Sequence, residues 1–135
     1  MRVAISGAGN VGLHVADALS RSGHEVLIIE QDRGVAARAA THAGIEWHIG
    51  DACEVATLKD AHLEACDVMV AATGDDEDNL VVSLLAKQEF GMPRVISSSP
   101  SFVWRASTSC FSMWIEVNLS SRTMFWEMMI ASSKL

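Results

Sequence analysis

The clearest chemistry in the chain lies in six consecutive residues, Gly7-Ala8-Gly9-Asn10-Val11-Gly12. They read G-x-G-x-x-G and follow the apolar run Val3-Ala4-Ile5 after a single serine, Ser6. Each glycine meets a different need when a dinucleotide lies over a strand–helix turn. Gly7 permits the tight turn. Gly9 lets the backbone approach a pyrophosphate with no Cβ in the way. Gly12 allows the helix to pack closely on the strand. Free N–H groups around Asn10 and Val11 would face the phosphates at the positive end of the helix dipole. Glu30 ends the next apolar run, and a carboxylate there can accept both ribose hydroxyls of an adenosine. It would also repel a 2′-phosphate, which favours NAD(H) over NADP(H). The ordinary alternatives are a structural glycine turn and a solvated strand-end acid.

Three further groups sit at loop positions. Asp32 is placed to cap the following helix. Gly50-Asp51-Ala52 would lie beside the adenine, with Asp51 also able to cap a short helix. Thr73 and Gly74 would meet the far ribose or the phosphates across the point where strand order reverses. The run Asp75-Asp76-Glu77-Asp78 reads as a solvated helix start matched to the dipole. A cation site is the other reading, since clustered oxygens suit hard ions.

The elements that must position these residues follow from periodicity. Strands are expected at 2–6, 25–30, 46–49, 67–72 and 94–97. Helices are expected at 10–21, 34–42, 54–60 and 76–90. Glu25-Val-Leu-Ile-Ile-Glu30 is almost continuously apolar between its terminal acids, as a strand buried on both faces should be. Strands alternate with helices and no hairpin signal appears. This predicts an α/β fold, a Rossmann-like doubly wound parallel sheet in the order 3-2-1-4-5, with a sixth strand as an extension.

Composition narrows the functional classes. The 135 residues fit one domain, and half are hydrophobic. The net charge of −7 argues against nucleic acid as a partner. No apolar run approaches a membrane span, and glycines interrupt the first apolar stretch too early for a signal peptide. The expectation is a cytoplasmic protein. Cys53, Cys66 and Cys110 form no C-x-x-C pair and read as reduced thiols. The five histidines show no metal-ligand spacing. Past Ile96 the composition changes: the remaining residues hold 11 serines but only five charges.

Taken together, GAGNVG, Glu30, Gly50-Asp51-Ala52 and Ala72-Thr73-Gly74-Asp75-Asp76-Glu77-Asp78-Asn79 resemble the nucleotide-binding domain of Trk/Ktr-type potassium-uptake regulatory subunits, the RCK or KTN family. The resemblance covers about residues 1–96. It implies a domain that binds NAD(H), or ATP or ADP in some members. It also implies a homo-oligomer on the cytoplasmic face of a membrane potassium channel or transporter subunit. On the matching positions, the nucleotide would rest on Gly7, Ala8, Gly9, Asn10, Val11 and Gly12. Glu30 would meet the adenosine ribose, Asp51 and Ala52 the base, and Thr73 and Gly74 the far side. Asn79 would brace the Thr73 loop. The family's arginine after the fifth strand falls at Ser98, so its role is not carried over.

Residues 97–135 then allow two readings. Trp114–Val117 and Thr123–Ala131 are a sixth strand and a dimer-forming helix, or the segment is a tail foreign to the domain. A regulatory module is expected, not an enzyme. The alternative is a small NAD-dependent oxidoreductase or a fragment of one. The chain has no tyrosine, so it cannot carry a Tyr-x-x-x-Lys catalytic pair. No other acid or base stands out near the nicotinamide position.

Overall fold

Apolar side chains run unbroken along the central strands, so the sheet must be covered on both faces. In the computed structural model, which describes residues 1–39 and 44–98, it is. Five parallel strands are β1 (Arg2–Ser6), β2 (Glu25–Glu30), β3 (Ile45–Ile49), β4 (Val68–Ala71) and β5 (Arg94–Ser97), in the order β3-β2-β1-β4-β5. Between them run α1 (Asn10–Arg21), α2 (Arg33–Ala39), α3 (Val55–Asp60) and α4 (Asp76–Gln88). This is the doubly wound arrangement expected from the sequence. No helix among the described residues is long and apolar enough to cross a membrane.

β2 shows the packing logic. Val26, Leu27, Ile28 and Ile29 are all buried. Leu27 and Ile29 join Ala4, Leu58, Leu63, Met69 and Val82 in one core. Val26 and Ile28 join Val3, Ile5, Ala16 and Leu19 in the other. Successive side chains of a strand leave opposite faces, so one run feeds both layers.

The differences from expectation lie at element ends. α4 stops at Gln88, short of Phe90, and α3 starts at Val55. A 3-10 turn at Leu63–Ala65 follows His62, whose φ of 53° is left-handed without being glycine. No turn-forming glycine or proline marks this turn in the sequence. The readings for Trp114–Val117 and Thr123–Ala131 lie outside the described residues.

Candidate functional site

Parallel strands bring every strand-to-helix loop to one edge of the sheet, so the residues singled out above converge there. Gly7 has a φ of +94°, and a Cβ on it would lie 2.7 Å from the Ala72 carbonyl oxygen. The glycine turn therefore rests against the end of β4. A Cβ on Gly12 would collide with the Gly7 carbonyl oxygen, so α1 sits directly on the turn. Gly9 is different. Its φ is −73°, and a Cβ there would meet nothing within 4 Å. Folding of the described residues imposes no glycine at position 9, and the space before it is open. Gly74 is equally open.

Glu30 is already engaged. One carboxylate oxygen accepts the Ala8 N–H at 2.7 Å, and the other accepts the Asp32 N–H at 2.8 Å. The side chain thus clips the glycine turn to the β2–α2 loop. A carboxylate offers about four acceptor positions, so about two remain, enough for two ribose hydroxyls. Asp32 caps α2, accepting from the Gly34 and Val35 N–H groups at 2.7 and 3.1 Å.

Asp51 does not cap α3. Its carboxylate accepts the Cys53 N–H at 2.8 Å, which closes a turn ahead of the helix. Glu54 stands at the N-cap with no side-chain bond. Ala52 is buried in the core with Leu58 and Leu63. Its side chain is therefore committed to packing, and only its backbone is left for a ligand. Cys53 lies between this loop and α4, with Sγ 3.8 Å from the Asp78 carbonyl oxygen. Desolvation first, then the Asp78 and Asp51 charges, push its thiol pKa up to about 12. At neutral pH it is therefore held as a thiol, not a thiolate.

The β4–α4 loop is held by Asn79, which is 1% exposed. Its Oδ1 accepts the Thr73 N–H at 2.9 Å, and its Nδ2 donates to the Thr73 carbonyl at 3.3 Å. The Thr73 hydroxyl lies 2.8 Å from the same Oδ1 and 2.9 Å from the Asp75 carbonyl oxygen. Asp75 caps α4 through the Glu77 and Asp78 N–H groups, at 2.8 and 3.2 Å. The acidic run thus begins a helix, with Asp76, Glu77 and Asp78 in its first turn. Among the described residues no cluster of His, Cys, Asp and Glu has metal-holding geometry.

Two features escaped sequence reasoning. Ile49 is 42% exposed and is the register partner of Glu30 on the neighbouring strand. Partners in register leave the sheet on the same face, so an apolar surface lies beside the Glu30 carboxylate. An isolated isoleucine at a strand end carries no signal of this. The Ser6 hydroxyl, fully buried at the end of β1, has no hydrogen-bond partner among the described residues.

Fold and edge together define a doubly wound α/β domain with a dinucleotide-type glycine turn. The TrkA-N domain model matches residues 3–101, and the chain belongs to that family. It is 48% identical over 97 residues to the Trk system potassium uptake protein TrkA of Mycobacterium tuberculosis, covering 72% of this chain and 44% of that one. The chain therefore spans less than half the length of this relative. Among solved structures, it is similar to the TrkA-N domain of inner membrane protein ybaL from Escherichia coli. That match has a TM-score of 0.65 at 19% identity, over 71% of this chain and 70% of that one. It is also similar to the Kef CTD of Shewanella denitrificans in AMP-bound form. There the TM-score is 0.63 at 21% identity, over 72% and 58% of the two chains.

Proposed function

We propose that this chain is the nucleotide-binding part of a regulator of a Trk-type potassium uptake system, with NAD(H) as its ligand and ATP or ADP as alternatives. The observation that carries the ligand is the open backbone at Gly9 beside a Glu30 carboxylate with acceptor capacity to spare. Phosphates would lie on the Gly7–Gly12 turn, at the N-terminus of α1. The ribose would bond to Glu30. The adenine would cover Ile49 and pass the backbone of Asp51 and Ala52, and the far half would approach Thr73 and Gly74. Ile49 and Val11, at 42% and 52% exposure, are apolar side chains at this edge that a base and a nicotinamide would cover. The role in potassium uptake is supported by the M. tuberculosis relative. In that role residues 1–96 form the binding unit of a homo-oligomer, attached to the transporter at the cytoplasmic face of the membrane.

The binding site needs no catalytic acid or base, because its task is to be occupied. Thermal denaturation with NADH, NAD+, ATP and ADP tests this. A ligand that binds only the folded state raises the midpoint with the logarithm of its affinity, and no turnover should accompany the rise. Steady NADH consumption with a small carbonyl substrate would refute the regulatory reading.

A further inference from the structure

The buried polar side chains among the described residues all belong to one side of the sheet. They are Ser6, Thr57, Asn79, Ser83 and Ser97. Thr57 is on α3, and Asn79 and Ser83 are on α4, the helices that supply Leu58 and Val82 to a single core. Ser6 shares its face of β1 with Ala4, and Ser97 shares its face of β5 with Val95. Ala4 and Val95 belong to that same core.

Register shows how this layer changes along the strands. Leu27, Ala4, Met69 and Val95 stand side by side across four strands. Two residues nearer the loops the row reads Ile29, Ser6, Ala71 and Ser97. Met69 and Val95 have given way to a methyl and a hydroxymethyl group. α4 starts at the loop edge, so its buried Asn79 and Ser83 come a turn ahead of Val82 and Ala86 and meet the outer row. The layer around Ser6 is therefore small and polar, whereas one turn further in it is apolar.

Most polar groups here are already used. The Asn79 carboxamide holds the Thr73 backbone, and the Ser83 hydroxyl donates to the Asn79 carbonyl oxygen at 2.7 Å. The Gly7 N–H donates to the Ile29 carbonyl oxygen, and the Ala72 N–H to that of Ser6. The Ser6 hydroxyl is 0% exposed and has no partner among the described residues. A buried hydroxyl left unmatched costs its full desolvation. Native structures meet such groups with a protein atom or an ordered water.

We propose that the Ser6 hydroxyl holds one buried water, seated over the Ala71 methyl beneath the first turns of α4. A buried water needs a polar site with small walls, and voids lined only by apolar groups stay dry. The outer row meets the first condition and the inner row does not. The water takes its remaining hydrogen bonds from the polar groups that line the outer row. It thereby ties the end of β1, on which the glycine turn stands, to the α4 layer. The inference stands on burial and register, and it holds whether or not a nucleotide binds.

Two measurements on the full chain test it. A high-resolution crystal structure should show a water about 2.5–3.0 Å from Ser6 Oγ, bonded to at least one further protein oxygen or nitrogen. The stability of Ser6→Ala supplies an independent sign. If the hydroxyl were dry, removing it would relieve a desolvation cost and raise the thermal midpoint. If it holds a water, the variant strips that water of a partner, and the midpoint should fall by about 4 °C or more. A map in which Ser6 Oγ bonds only to a protein group, or to nothing, overturns the proposal. So does a Ser6→Ala midpoint above that of the parent. Should the variant fail to fold, the map of the parent decides.

Discussion

Replacing Glu30 by glutamine keeps the size of the side chain, yet it should damage the ligand-free protein. Both carboxylate oxygens accept backbone N–H groups, from Ala8 at 2.7 Å and Asp32 at 2.8 Å. An amide has one acceptor oxygen and one NH2 group. Whichever way it turns, one backbone donor faces another donor. The Asp32 bond is exposed and the Ala8 bond is half-buried, so the amide should keep its oxygen on Ala8 and leave Asp32 to water. What is lost is one charge-assisted bond and the charge in the other, about 1–2 kcal/mol together once solvent is allowed for. In a domain of this size about 1 kcal/mol shifts the midpoint by about 4–8 °C, so a fall of about 5–15 °C is expected. Glu30→Asp should do similar harm, because a side chain one methylene shorter cannot span both donors. Urea and thermal denaturation of nucleotide-free protein, followed by far-ultraviolet circular dichroism, measure the loss. A Glu30→Gln midpoint within about 2 °C of the parent would refute the clip between the glycine turn and the β2–α2 loop.

Other substitutions separate the roles of neighbouring residues. Asn79→Ala removes the partner of both the Thr73 N–H and its carbonyl, and should cost about 2–3 kcal/mol in urea denaturation. Gly12→Ala drives a methyl group into the Gly7 carbonyl and should cost about 3 kcal/mol or leave the chain insoluble on expression. Gly9→Ala should be nearly neutral in stability, because the entropy gained by the swap offsets the poorer N-cap, yet it should abolish the shift in midpoint caused by NAD+. Cys53 in the folded state stays a thiol until about pH 12, whereas an unfolded cysteine ionises near pH 8.5. Its contribution to stability is therefore complete below about pH 8.5 and is lost as pH rises towards 12. The stability difference between the parent and Cys53→Ala, measured by denaturation, should move in the variant's favour across that window.

Much of this fold was legible because its determinants are local. Glycines at 7, 9 and 12 after an apolar run, and four consecutive apolar residues in β2, each act within a few positions. Asp32 was read correctly as a cap because its partners, Gly34 and Val35, lie two and three residues on. The expected Asp51 cap of α3 fails because two local bonds compete. An acid after a strand can cap the coming helix or close its own turn, and the residues alone do not rank the two. Here the Cys53 N–H captures the carboxylate before α3 begins. The burial of the Ala52 side chain is not legible in the sequence, for a longer-range reason. Its burial depends on Leu58 and Leu63 arriving over it, which no short window contains. Ile49 gained its place beside Glu30 only through the register of β3 on β2.

The glycine motif divides into two kinds of residue, and the division bears on how such motifs should be read. Gly7 and Gly12 are required by the folded chain alone: one by its φ and the Ala72 carbonyl, the other by the Gly7 carbonyl. Any protein that sets a helix this closely on its first strand would need them, whether or not it bound a nucleotide. Gly9 has an ordinary φ and no neighbour for a Cβ to strike. Its place at the N-cap of α1 favours glycine over alanine only modestly, so the fold asks far less of position 9 than of positions 7 and 12. Glu30 belongs to both kinds, since two of its acceptor positions hold the turn and the rest face outward. A motif match therefore weighs more for function when the fold does not already explain its glycines. By that measure Gly9 and the spare capacity of Glu30 point to a ligand, whereas Gly7 and Gly12 speak only for the architecture that presents them.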